Sequence, residues 1–165
     1  LLAHGRTRIA HITGPERFLA ARLRAEGAER VVVDAGHEVA PPGVLYGEWT
    51  EEWGRQATHI ALRHAPDLDA IFCGSDQIAR GVAETLRELG RRVPDEIMLV
   101  GFDNWEPMAT GCRPPLTTVD MNLTELGRRA ADYLLAAIEG DSRPGIHALP
   151  CRLVVRESTG APAFA

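Results

Sequence analysis

The sequence contains no lysine, and all 18 of its basic residues are arginine. Against these stand 23 acidic residues, which leaves a formal net charge of −5. Neither sign of charge is gathered into a block. A net negative chain without a basic patch binds phosphate backbones poorly. We therefore expect that these residues do not contact nucleic acid directly.

Long apolar runs and a cysteine framework are also lacking. No stretch approaches the ~20 apolar residues of a membrane span, and the opening residues, LLAHGR, lack the pattern of a secretion signal. The three cysteines are odd in number and far apart, which disfavours both disulfides and a zinc site: Cys73, Cys112 and Cys151. We expect a cytoplasmic protein with reduced thiols and no membrane partner.

Motifs of catalysis and metal binding are absent from the sequence as well. It has no phosphate-binding loop, no Gly-x-Gly-x-x-Gly after a strand and no Gly-x-Ser-x-Gly. Ser75 follows an apolar run but lacks the second glycine, so we interpret it as a helix cap. His59 and His64 are five residues apart and do not share a helix face. The sequence therefore predicts no catalytic residue, no metal site and no cofactor.

What the sequence does contain is an alternation of strand-length apolar runs with helical patterns. Its 165 residues, 45% of them hydrophobic, suffice for one globular domain with its own core. Strands are predicted over Ile9–Thr13, Val44–Gly47, Ala70–Cys73 and Ile97–Gly101. Strand, helix, strand repeats predict an α/β fold in three layers, an open parallel sheet with helices on both faces.

Helices are predicted over Arg17–Ala35, Thr50–His64, Asp76–Leu89 and Leu123–Glu139, with a further strand over Leu116–Val119 and an edge strand over Leu149–Val155. The first of these helices is ambiguous, because Gly27 and the β-branched residues at 31–33 favour a break. We nevertheless predict one continuous helix. Asn122 and Glu125 have the spacing of a capping box before the last helix.

Polar and aromatic residues follow the carboxyl ends of the predicted strands, where open parallel sheets bind ligands. Trp49 follows the second strand, Ser75 and Asp76 the third, and Asp103 the fourth, while Arg24 lies on the first helix. A carboxylate and a guanidinium bind neighbouring hydroxyls, and an indole covers the apolar face of a ring. These groups suit a sugar-like ligand.

Two alternatives remain open for the same residues. Asp103 could cap its own loop while Trp49 packs against Trp53, which would leave no site at all. Asp76 and Asp103 could instead serve as general acid and base of a sugar-processing enzyme.

Several stretches occur in a characteristic order: GRTRIAHITGP at 5–15, ARLRAEG at 21–27, AIFCGSDQIARG at 70–81, VPDEIMLVGFDN at 93–104, PPLTTV at 114–119 and LVVREST at 153–159. Each is short, but their order and spacing extend over essentially the whole chain. Together they resemble the lactose-repressor (LacI/GalR) family of bacterial transcription regulators.

The resemblance implies a periplasmic-binding-protein-like core of two subdomains, preceded by a helix-turn-helix and a hinge. On that plan residues 1–119 and 142–165 form the C-terminal subdomain, and residues 120–141 cross to the N-terminal one. The implied function is the effector-binding and dimerisation core of a regulator, in which a sugar-like molecule in the interdomain cleft controls operator binding by a DNA-binding domain outside these residues. The alternative is a periplasmic sugar-binding protein of an ABC transporter.

The resemblance also implies roles for individual residues. Arg24 and Asp103 match the pair that binds effector hydroxyls, and Trp49 matches the aromatic that stacks on the sugar. Ser75 stands where many members have asparagine, and Met121 where several have glutamine. With Asp76, these residues form the predicted effector site.

Members of the family form homodimers through the helix and the loop that correspond here to residues 77–89 and 107–115. We accordingly predict that Ile78, Val82 and Leu86 form a dimer stripe across a two-fold axis. The alternative is that these side chains belong to the core, because any helix packed on a sheet buries such a stripe.

Overall fold

A six-stranded sheet organises residues 1–160, the part of the chain that the computed structural model describes. Its strands are β1 (Ile9–Thr13), β2 (Leu45–Tyr46), β3 (Ala70–Cys73), β4 (Met98–Asp103), β5 (Thr117–Asp120) and β6 (Arg152–Val154). They lie in the order β2-β1-β3-β4-β5-β6, and neighbours are parallel except for β6, which runs antiparallel along the edge of β5. The predicted α/β class and the predicted edge strand are confirmed.

Five α-helices connect these strands: α1 (Leu19–Asp34), α2 (Glu51–His64), α3 (Asp76–Glu88), α4 (Glu106–Ala109) and α5 (Leu123–Ile138). The prediction of a single first helix is confirmed, because α1 continues through Gly27 and buries Ala21, Ala25 and Val32. Tertiary burial outweighs the local preference for a break. None of the described helices is long and apolar enough to cross a membrane.

Helices α2 and α3 pack closely against each other on one face of the sheet. A Cβ atom on Gly54 would collide with the carbonyl oxygen of Ile78, and one on Gly81 with the carbonyl oxygen of Glu51. Two glycines thus let two backbones approach within a distance that no other residue allows.

The structure contradicts the predicted dimer stripe. Ile78, Val82 and Leu86 are each 0% exposed and belong to the main hydrophobic core. Side chains that their own chain covers completely cannot contact a second copy. The alternative interpretation, a helix packed on its own sheet, is the correct one.

Helix α5 differs from the other long helices because it contains no buried residue. Leu126, Leu134 and Ile138 are 45%, 63% and 74% exposed. The predicted capping box before α5 is wrong. The side chain of Asn122 makes no capping hydrogen bond, and Glu125 pairs instead with two arginines in the following turn of its own helix.

Candidate ligand-binding site

The carboxyl ends of the central strands open onto a cavity of about 310 Å³. It is lined by Phe18, Ala20, Arg24, Trp49, Ser75, Gln77, Asp103 and Trp105. Four of the predicted site residues are therefore brought together, from four different segments of the chain. Among these lining residues, one is acidic and one is basic, so the cavity carries a single carboxylate facing a single guanidinium.

Arg24 is held from several sides. Its Nη1 donates a hydrogen bond of 2.6 Å to the carbonyl oxygen of Gly74, and its guanidinium carbon lies 3.8 Å from the ring centre of Phe102. Burial lowers the pKa of Arg24, and the facing Asp103 carboxylate acts in the opposite direction. An arginine nevertheless keeps its charge. The cation is thus fixed before any ligand arrives.

Asp103 faces Arg24 at the end of β4. Its Oδ1 lies 3.8 Å from Arg24 Nη2, which is an ion pair but too long for a hydrogen bond. Burial raises the pKa of Asp103 to about 6, although Arg24 opposes the rise. The carboxylate is therefore ionised at neutral pH and poorly hydrated, and it gains from hydroxyl donors.

The backbone that carries Asp103 is strained. Asp103 and Asn104 have φ angles of 111° and 53°, a region that residues with a Cβ atom avoid. The strained pair is held in place by its neighbours: Asn104 N donates to Thr118 Oγ1 at 3.3 Å, and Arg156 Nη2 donates to Asn104 Oδ1 at 2.8 Å. Strain of this kind persists where surrounding contacts enforce it, and it concentrates at functional sites.

Trp49 owes its position to a glycine. A Cβ atom on Gly14 would collide with the six-membered ring of Trp49, so the indole lies directly against the backbone after β1. Trp53 lies on a different glycine, Gly47, and its Nε1 donates to Thr13 O at 2.9 Å. The two indoles therefore have separate supports, and Trp49 lines the cavity.

Ser75 and Met121 occupy the margins of the site. Ser75 is a helix cap as predicted, because its Oγ accepts a hydrogen bond of 3.2 Å from Ile78 N. It also lines the cavity. The sulfur of Met121 lies 3.8 Å from Arg24 Nη2, so Met121 contacts a site residue, but it is not among the residues that line the cavity.

Asp76 is not a ligand-binding residue, and its assignment to the site was wrong. The residue is 0% exposed. Its two carboxylate oxygens accept hydrogen bonds from Thr118 Oγ1 at 2.5 Å and from Trp105 N at 2.9 Å. Asp76 thus ties α3 to β5 and to the loop after β4. Because it does not line the cavity, it cannot act with Asp103 as an acid and base pair there.

Sequence reasoning missed four residues that line the cavity: Phe18, Ala20, Gln77 and Trp105. Phe18 and Ala20 lie at the start of α1, Gln77 lies in the first turn of α3, and Trp105 comes two residues after Asp103. Their nearness to predicted strand ends was visible in the sequence. Nothing in the sequence showed which way the loop after β4 turns.

Comparison with known proteins identifies the family to which the chain belongs. Residues 1–159 match the periplasmic binding protein-like domain. The chain belongs to that family. The HTH-type transcriptional regulator CelR of Thermobifida fusca is 35% identical over 159 residues, which are 96% of this chain and 46% of CelR.

Two solved structures of related regulators share the fold of this chain. A complex of CelR with cellobiose has a TM-score of 0.86 at 35% identity and covers 96% of this chain and 48% of that one. A lac repressor dimer bound to operator and the anti-inducer ONPF has a TM-score of 0.88 at 32% identity, and the match covers 98% of this chain and 55% of that one. The resemblance to lactose-repressor family regulators is confirmed. The chain spans about half the length of the curated relatives it matches.

Proposed function

We propose that this chain is the effector-binding and dimerisation part of a LacI-type transcription regulator. A sugar-like small molecule binds at the cavity and controls operator binding by a helix-turn-helix outside these residues. The observation that carries the proposal is the Arg24 and Asp103 pair, held beside Trp49 at the strand ends. The curated relatives, which are HTH-type regulators, support this function over that of a transporter's solute-binding protein.

The proposed regulator works in the cytoplasm and is not an enzyme. Residues 1–119 and 142–165 form its C-terminal subdomain, of which residues 161–165 lie outside the described part. Residues 120–141 cross to a second subdomain that completes the cleft. A ligand that binds both subdomains favours one relative orientation, and such coupling between sites is typically ~1–3 kcal/mol.

The proposed homodimer uses the exposed side of α3 and the loop at residues 107–115. Arg80, Glu84 and Arg87 lie on that side of α3, across a cavity of about 320 Å³ from Arg113. In this proposal these exposed side chains form the dimer interface, instead of the buried stripe that the sequence predicted. Light scattering of the full-length protein is expected to give twice the monomer mass, and a monomer at all concentrations would contradict this interface.

The effector site is tested with Asp103→Asn in the full-length protein. Calorimetry against a sugar panel is expected to show loss of most of the affinity, because a charge-assisted acceptor becomes a neutral amide. The wild-type affinity is also expected to fall as the pH drops through about 6, because protonation removes the same acceptor.

Asp67→Asn is the matched control. Asp67 is an exposed carboxylate that pairs with Arg8 at 2.9 Å in the turn before β3, at the opposite end of the strands. This variant is expected to bind sugar as the wild type does. Unchanged affinity in Asp103→Asn, or equal losses in both variants, would contradict the assigned site.

A further inference from the structure

Trp105 is a large apolar side chain that the fold leaves in solvent. It is 53% exposed, yet it lines the cavity that Arg24 and Asp103 share. Phe18 lines the same cavity and is 46% exposed. Neither ring contributes much to the core, so their position has to be explained by something other than folding. Exposed aromatic groups at a concave surface mark binding sites.

The backbone of Trp105 is fixed by hydrogen bonds, and its side chain is half exposed. Its N–H donates to Asp76 Oδ2 at 2.9 Å, and its carbonyl oxygen accepts from Met108 N at 2.9 Å and Ala109 N at 2.8 Å, which begins α4. Asp76 is therefore a positioning residue for Trp105. A ring carried on a fixed backbone loses little conformational entropy on binding and is a pre-organised contact.

The number of aromatic rings bears on the size of the ligand. One indole covers one apolar face of one sugar ring, and Trp49 already supplies this next to the Arg24 and Asp103 pair. A single sugar ring has two faces, which two aromatic side chains suffice to cover, whereas three aromatic residues line this cavity: Phe18, Trp49 and Trp105. A second ring joined to the first extends along the cavity and gives these side chains an apolar face to cover.

We propose that Trp105, together with Phe18, forms a second stacking subsite, and that the effector is a saccharide of two or more rings. The proposal rests on the proposed function, since it assigns the size of the ligand at the same site. Trp105 determines the preference for two rings over one, while Arg24 and Asp103 bind the hydroxyls of the first ring.

The experiment measures binding of glucose, cellobiose and maltose to full-length protein by calorimetry. The wild type is expected to bind at least one disaccharide more tightly than glucose. Trp105→Ala is expected to weaken binding of that disaccharide about tenfold, the size of a lost aromatic contact, and to weaken binding of glucose by a smaller factor. Trp105→Phe keeps a ring on the same backbone and is expected to retain most of the affinity.

Intrinsic fluorescence provides a second readout. Because Trp105 is half exposed, binding of the disaccharide is expected to shift its emission. Trp105→Phe is expected to reduce the observed shift to the part that Trp49 contributes, while binding persists. Equal losses for glucose and disaccharide in Trp105→Ala would overturn the second subsite and leave the proposed function standing. Binding of nucleosides with no disaccharide bound would overturn the saccharide assignment. Failure of the wild type to bind any small molecule would overturn both proposals.

Discussion

At the scale of single residues, His11 is the most unusual group outside the cavity. It lies in β1 and is 1% exposed, stacked on Phe72 with ring centres 4.7 Å apart. Its Nδ1 lies 2.9 Å from the carbonyl oxygen of Phe72 and donates to it, while Nε2 makes no hydrogen bond within the described residues. Burial lowers the pKa of His11 to about 4, with a smaller contribution from the nearby Arg24 charge and against the opposing effect of the hydrogen bond to the Phe72 carbonyl. His11 is thus a neutral residue of the sheet.

This histidine makes the stability of the chain depend on pH. Between pH 6.5 and about 4 the unfolded chain binds a proton at His11 that the folded chain does not, so the contribution of His11 to the free energy of unfolding decreases as the pH falls through this window. The total loss from His11 is about 3 kcal/mol. Asp103, whose pKa is raised to about 6, acts in the opposite direction over part of the same window. In urea unfolding, the free energy of unfolding of the wild type is expected to decrease relative to that of His11→Leu as the pH falls through this window, because Asp103 is common to both proteins. His59→Leu, which removes an exposed histidine, is the control, and equal slopes in all three proteins would contradict the assignment.

At the scale of elements, the hydrophobic pattern predicted more of the fold than of the site. Every predicted strand and helix exists. Burial of apolar faces fixes where most of these elements form, whereas α5 forms although none of its residues is buried. The short helix α4 was missed, because four residues give no period to detect. Asp76 was placed in the site because it follows a strand, whereas its orientation depends on Thr118, far along the chain. Contacts of this range leave no local signal.

Glycines within the helices also make close contacts that the local sequence does not predict, and substitution of these glycines tests those contacts. Gly54 and Gly81 lie at the α2 and α3 contact, whereas nothing lies within 4 Å of a Cβ atom placed on Gly27 in α1. Gly54→Ala and Gly81→Ala are each expected to lower the free energy of unfolding by about 2 kcal/mol or more, because backbone has to move. Gly27→Ala is expected to raise it by about 0.5–1 kcal/mol. Chemical denaturation measures all three, and a stabilising Gly54→Ala would show that the two helices are not in close contact.

At the scale of the whole molecule, two apolar surfaces remain open. One is the face of α5 that carries Leu126, Leu134 and Ile138. The other is a cavity of about 700 Å³ between α1 and the sheet, lined by residues that include Leu2, Phe72 and Phe102. Open surfaces of this size mark interaction sites. Since the matched relatives are about twice as long, we propose that a second subdomain covers α5 in the full-length regulator.

The double substitution Leu134→Glu with Ile138→Glu tests this arrangement. In the 165-residue chain alone, it is expected to leave the unfolding midpoint unchanged and to reduce self-association in light scattering, because these side chains are mostly exposed there. In the full-length protein the same change is expected to destabilise by several kcal/mol, about 2 for each buried apolar side chain. Ile146→Glu, at a side chain that is 98% exposed, is the control and is expected to be neutral in both proteins. A neutral result for the double variant in the full-length protein would show that α5 does not lie against a second subdomain, and residues 120–141 would then belong to the C-terminal one.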